Sequence, residues 1–168
     1  KKVNLGLDLQ GGSYLLLEVD SNPVIKQKIQ NKLLSLRNIL KEKKIKYENL
    51  KILKDSIQFS IPNKNIEEFE NFFFNKDNSL NIYYEKYKAY ELELIKNENN
   101  LKINYSKFGI IEIKNSTLSQ SLEIVRRRID EVGTNDPTIL KRGNNRILVE
   151  LPGLSNPNRV KDLLGKTA

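Results

Sequence analysis

Leu5-Gly6-Leu7-Asp8-Leu9-Gln10-Gly11-Gly12-Ser13 runs without interruption into Tyr14-Leu15-Leu16-Leu17-Glu18-Val19. The second half of this stretch is an apolar, strand-forming run, and it starts the order of elements from which the fold is read. The first half holds three glycines and one carboxylate within seven positions, Gly6 to Gly12. Glycine has no Cβ and enters φ > 0 regions at little cost, so such a segment turns tightly or lies close against something. The spacing Gly6-x-x-x-x-Gly11, followed by Gly12-Ser13, approaches a phosphate-binding loop. That loop needs a lysine before the serine and a helix N-terminus after it. Here Gly12 stands in the lysine position and a strand follows, so the segment is read as backbone geometry and no nucleotide or other cofactor is expected.

Working outward, Asn22-Pro23 is a helix start, with Asn as N-cap and Pro at the first helical position. Ile25, Ile29, Leu33, Leu36 and Leu40 recur every three or four residues and predict an amphipathic helix to about Lys43. Tyr47–Leu53 and Ser56–Ile61, separated by Lys54-Asp55, predict a hairpin. A helix carrying Ile66, Phe69, Phe72 and Phe73 follows, and then a strand over Leu80–Tyr84. The order strand, helix, strand, strand, helix, strand is that of the ferredoxin-like split βαβ unit. The second half repeats it as far as it goes. Tyr90–Ile95 and Leu101–Tyr105 form a hairpin, and a long helix runs from Ser106 to its stop at Gly133. Strands over Thr138–Lys141 and Arg146–Leu151 flank Gly143-Asn144-Asn145, Pro152-Gly153 breaks the second, and a short helix ends at Gly165. A shorter version of the long helix, capped by Thr117 with Gln120, is the alternative start.

The expected fold class is therefore α+β: two tandem ferredoxin-like (βαββαβ) modules with antiparallel sheets, the second lacking its last strand. The expected layout is a glycine-rich segment over 1–12, a first module over 13–88, and a truncated second module over 89–168. The chain opens at Lys1-Lys2 without an initiator Met, so a piece of a longer protein is expected.

Composition narrows the chemistry. The 168 residues include no Cys and no His, which removes thiol nucleophiles, histidine bases and the usual zinc sites. No apolar run approaches the roughly 20 residues that span a bilayer. The formal charge is +8, with Lys26, Lys28, Lys32, Arg37, Lys41, Lys43, Lys44, Lys46, Lys51 and Lys54 crowded early, and this is read as a solvated face. Glu67, Glu68 and Glu70, on a helix with Phe69 and Phe72, are read as a wet face and not as metal ligands. No catalytic, cofactor or metal residues are assigned. A competing class is a basic ferredoxin-like RNA-binding module with Tyr14, Phe59, Tyr83 and Tyr105 on its sheets, although the Lys/Arg-Gly-Phe/Tyr signature of such modules is missing.

Two blocks of residues resemble a known family. Gly6-Leu7-Asp8-Leu9-Gln10-Gly11-Gly12, followed by Leu17-Glu18-Val19-Asp20, is similar to the segment just after the first membrane helix of SecD-type subunits of the bacterial Sec protein translocase. The second block follows in the same order as in that family. It comprises Glu123–Gly133 with Arg126-Arg127-Arg128 and Asp130, Pro137-Thr138-Ile139, Arg146–Leu154 with Pro152-Gly153, then Pro157, Arg159-Val160 and Leu163–Ala168 with Gly165. Residues 21–105 carry no recognisable motif and fit a variable insert between the blocks.

The resemblance implies a periplasmic domain of a bacterial inner-membrane protein. It would work with SecF beside the SecYEG channel and help draw unfolded exported polypeptide outward by using the proton gradient. No nucleic acid partner and no catalysis in this stretch are implied, and the proton-carrying groups would lie in membrane helices outside it. Asp8 is read as an acceptor for N–H groups of the following glycines, as a contact for a partner subunit, or as a plain turn carboxylate. Gly6, Gly11 and Gly12 are read as conformational. Arg126, Arg127 and Arg128 cannot share one helix face, because successive residues lie about 100° apart. At least one of them is expected to snorkel or to pair with Asp130 or Glu131.

Overall fold

The structure, a computed structural model, describes residues 4–9, 14–132, 136–152, 162 and 164. In chain order the elements are β1 (Asn4–Leu9), β2 (Tyr14–Asp20), α1 (Asn22–Glu42), β3 (Glu48–Leu53), β4 (Ser56–Ser60) and α2 (Ile66–Phe73), the last preceded by one 3₁₀ turn at Asn63–Asn65. Then come β5 (Tyr83–Tyr84), β6 (Ala89–Tyr90), β7 (Leu92–Asn97), β8 (Asn100–Tyr105), α3 (Lys107–Val132), β9 (Thr138–Arg142) and β10 (Arg146–Glu150). The class is α+β, and the two larger sheets are four-stranded and antiparallel throughout.

The chain divides into two compact units. One joins its two ends, residues 1–23 with 113–168, and the other is the continuous stretch 24–112. The first unit holds the sheet ordered β1-β2-β10-β9. Period-two alternation on β2 turns Leu15, Leu17 and Val19 to one face, where they meet Ile147 and Val149 of β10. Leu118, Leu122, Val125 and Ile129, spaced three or four apart on α3, close that face, and all of these side chains are buried. The β9–β10 hairpin turns at Gly143, whose φ of +62° suits a residue without a Cβ.

The second unit holds the sheet ordered β3-β4-β8-β7 and the two-residue ladder β5-β6. Its core contains Ile57, Phe59, Leu101 and Ile103 from the sheet and Ile29, Leu36 and Leu40 from α1. Phe59 meets Phe69 of α2 edge-to-face at 5.5 Å, and Phe69 stacks on Phe73 at 5.8 Å. The β3–β4 hairpin turns through Lys54 (φ 48°) and Asp55 (φ 60°). Both lie in the left-handed region that a two-residue primed turn requires.

The sheet partners differ from the tandem order expected from the sequence. β2 pairs with β10, some 130 residues away, and not with the strands that follow α1. The unit boundaries accordingly fall near 23 and 112, not at 88. The physical reason is that alternation prescribes which face of a strand is buried but not which strand lies beside it. Two further expectations are corrected. Residues 4–9, expected to belong to a glycine-rich segment and not to a strand, form a strand paired along its full length with β2. The strand expected over Leu80–Tyr84 shrinks to Tyr83-Tyr84, because Leu80 and Asn81 are buried in an irregular segment held by side-chain hydrogen bonds. The long version of α3 is the observed one: Ser106 Oγ accepts from the Gly109 N–H at 3.1 Å as its N-cap, and Thr117 sits mid-helix with its hydroxyl donating to Ile113 O.

Candidate functional site

The residues of the family-like opening block lie on β1 and β2, where register brings them beside the closing block. Gly6 stands opposite Glu18, Glu18 opposite Arg146, and Arg146 opposite Arg142. One row along, Asp8 stands opposite Leu16, Leu16 opposite Leu148, and Leu148 opposite Leu140. On the other side Tyr14 faces Glu150, which faces Thr138. Residues directly opposite in an antiparallel ladder share a face. On β2, β10 and β9 these rows therefore lie on the face of the sheet turned away from α3. That face is open: Tyr14 is 42% and Leu140 48% exposed, with Leu16 and Leu148 half-buried. A shallow cavity of about 440 Å³ is lined there by Tyr14, Leu16, Arg142, Arg146 and Leu148. The Tyr14 phenol is held above its usual pKa by hydrogen bonding to the Glu150 carboxylate and by its charge. The cross-strand pairings that build this face are not readable from spacing alone, and neither Arg142 nor Leu140 stood out in the sequence.

The remaining expected residues are distributed as follows. Arg126 is exposed and pairs with Glu123 one turn earlier at 3.0 Å, so its carboxylate is neither of the two expected ones. Arg127 and Asp130 are exposed and Arg128 is half-buried, so the triplet spreads around α3 as the helical angle requires. Pro152 is exposed at the turn after β10. Gly11, Gly12, Gly133, Gly153 and Gly165 lie outside the described residues. The three glutamates of α2 do not converge: Glu70 pairs with Lys96 at 2.8 Å, and among the described residues no group of three carboxylates could hold a metal ion. The aromatic platform imagined for RNA does not form, because Phe59 and Tyr105 are buried on the inner face of their sheet. Bases stack only on exposed rings.

The second unit contains a buried polar hub that sequence reading missed. The Lys32 ammonium donates to the Glu91 carboxylate and to Leu80 O, each at 2.6 Å. The side chains of Lys32 and Glu91 are only 15% and 7% exposed. The backbone of Glu91 is used as well, its N–H donating to Ile82 O and its carbonyl accepting from the Ser106 N–H. Gly109 comes so close that a Cβ there would stand 2.2 Å from Glu91 O, which explains a glycine in the first turn of α3. Beside the carboxylate, burial first and then the charge of Glu91 push the phenols of Tyr84 and Tyr105 well above their ordinary pKa. Phenols so raised stay protonated at neutral pH and cannot serve as bases. The carboxylate, already matched to an ammonium, ties α1 to the segment ahead of β7. Asn81, fully buried, does similar work: its amide donates to Phe73 O and Leu92 O, and its carbonyl accepts from the Leu92 N–H at 2.8 Å. The only hint in the sequence was a lysine on an otherwise apolar helix face.

The described residues thus present two four-stranded antiparallel sheets, one of them with an open face that mixes leucines, arginines and glutamates. The comparisons with known proteins give the family. The model for the N-terminal part of the P1 domain of the protein translocase subunit SecDF matches residues 118–168, and that for the SecD/SecF GG motif matches residues 1–23. Protein translocase subunit SecD of Rickettsia felis is 38% identical over 99% of this chain, and the chain covers 30% of it. The subunit of the same name from Magnetococcus marinus is 33% identical over the whole chain, again with 30% of its length covered, and that of Acetobacter pasteurianus is 33% identical with 32% covered. No solved structure matches the chain significantly. The chain belongs to the SecD family of protein translocase subunits and spans about 30% of the length of the relatives it matches. Among the described residues no helix is long and apolar enough to cross a membrane.

Proposed function

We propose that this chain is the periplasmic part of an accessory subunit of the Sec translocase in a bacterial inner membrane, and that it helps pull or release exported polypeptide. Its partners on this reading are SecF, the SecYEG channel and the unfolded chain in transit. Energy comes from the proton gradient through groups elsewhere in the protein, and this part does no catalysis. One observation supports the reading above others. The two family matches, at residues 1–23 and 118–168, fall on the two chain ends that fold together as one unit. Segments nearly a hundred residues apart in sequence thus belong to one folded unit, and the stretch 24–112 that separates them in sequence forms the other.

The reading is tested by site-specific photocrosslinking in the membrane-embedded protein. Crosslinkers replace the exposed side chains Leu140 and Ile95, one in each unit, while an export substrate is stalled in the channel. The expected result is adducts to the stalled polypeptide or to SecY. Adducts to neither, from either position, would overturn it.

A further inference from the structure

We infer that the open face of the β1-β2-β10-β9 sheet docks a peptide segment in which an aliphatic or aromatic side chain is flanked by a carboxylate. This deepens the reading above, on which it rests for the occupant being polypeptide. Leu140, Leu148 and Leu16 form a continuous apolar row across three strands, unlike the polar outer rows usual on a half-solvated antiparallel sheet. Beside it Arg142 and Arg146 stand directly opposite one another on neighbouring strands. Like charges so placed destabilise the ladder. Among the described residues neither guanidinium has a carboxylate within ion-pair distance. Glu18, next in that row, accepts instead from the Asn145 amide at 2.9 Å.

A carboxylate brought in by a ligand would relieve the repulsion, and guanidinium is the group best shaped to receive it in two parallel hydrogen bonds. The apolar row alongside and the cavity of about 440 Å³, lined by residues of both rows and by Tyr14, accept the neighbouring side chain. Peptide is favoured over an anionic membrane by charge balance. The face carries Glu18 and Glu150 as well as the two arginines, so it lacks the net positive field that draws proteins to anionic lipid. Discrete charges on a peptide match such a mixed face, and a uniformly negative surface does not.

The test uses three labelled peptides and the whole chain, with binding followed by fluorescence anisotropy. The first has leucines and phenylalanine flanked by glutamates, the second replaces glutamate with lysine, and the third replaces the apolar residues with serine. Saturable binding is expected for the first only. Combining Arg142→Glu with Arg146→Glu should weaken it by about tenfold or more, because juxtaposed like charges oppose binding strongly, and should let the lysine peptide bind. Leu140→Ser, at a site already half exposed, should weaken it with the fold intact by circular dichroism, so the test stands even if the double variant misfolds. Equal binding of all three peptides, no binding of any, insensitivity to these variants, or capture by phosphatidylglycerol vesicles without peptide binding would each overturn the inference. In the membrane, crosslinks to the stalled chain that survive the arginine reversal would overturn this face alone, whereas loss of crosslinks from every position would overturn the functional reading itself.

Discussion

The two four-stranded sheets of this chain make an instructive pair. Both are antiparallel and both bury one face by simple alternation, yet their cohesion and their outer faces differ. The sheet built from the chain ends is held by Leu, Ile and Val from β2, β10 and α3, and the buried hydroxyls of Thr117 and Ser121 bond only within α3. Its outer face keeps a leucine row and two facing arginines. The sheet of the continuous unit shows water a row of Lys51, Gln58 and Lys102, and its unit depends on buried polar connections at Glu91 and Asn81. An apolar core tolerates loss of one group in proportion to its size. A buried polar hub does not, since removing one partner strands the other.

Replacing Glu91 should therefore show the largest effect. Glu91→Ala leaves the Lys32 ammonium buried without its carboxylate and should cost about 3–5 kcal/mol, read by denaturant unfolding. Amide exchange should rise first in β7 and β8. If β2 and β10 open equally, the contrast between the two units fails. Next comes the apolar counterpart, Ile129→Ala on α3, fully buried against the first sheet, which should cost about 2–5 kcal/mol with exchange rising in β2 and β10. A loss under 1 kcal/mol would mean that the helix is not what closes that face.

Tyr105 offers a finer test. Its hydroxyl is buried without a hydrogen-bond partner among the described residues, so Tyr105→Phe should be neutral or stabilising by about 1–2 kcal/mol. The phenol's pKa is raised in the folded state, so the folded form favours the protonated ring. That preference is fully present below pH 10.0, the unperturbed value, and is lost as pH rises toward the folded-state pKa. Wild-type stability should fall with alkali more steeply than that of the Phe variant. Parallel pH curves would remove Tyr105 from the hub. The smallest effect is expected at the β3–β4 turn, where Asp55→Gly relieves a left-handed residue and should raise stability by about 0.4–1 kcal/mol in thermal unfolding. A loss there would mean that the aspartate carries a contact beyond turn geometry.

How far the fold could be read depends on the range of the forces involved. The helix from Asn22, the hairpin over β3 and β4, the Ser106 cap and the turn at Gly143 all follow from residues within a few positions of one another, and each was legible. So was the membership carried by the opening block, Gly6 to Asp20, and the closing block, Glu123 to Ala168, which fall within the two family matches at 1–23 and 118–168. Leu80–Tyr84 misled because an apolar, β-prone run outweighed Asn81, whose buried hydrogen bonds to Phe73 and Leu92 were invisible in one dimension. The candidate face was less legible, because Leu140 and Arg142 acquire meaning only as cross-strand neighbours of β10.

By itself, then, the amino-acid sequence determined the helices α1, α2 and α3, the hairpins β3–β4, β7–β8 and β9–β10, the side of each helix that avoids water, and the family to which the chain belongs. Those properties arise from local geometry and from the period of the apolar side chains. Tertiary structure alone decided that β2 lies beside β10, that Lys32 finds Glu91, and that two arginines four residues apart confront each other on one open face. Alternation is satisfied equally well by any partner strand, so the choice among partners rests on the packing of whole faces and on where each buried charge meets its match.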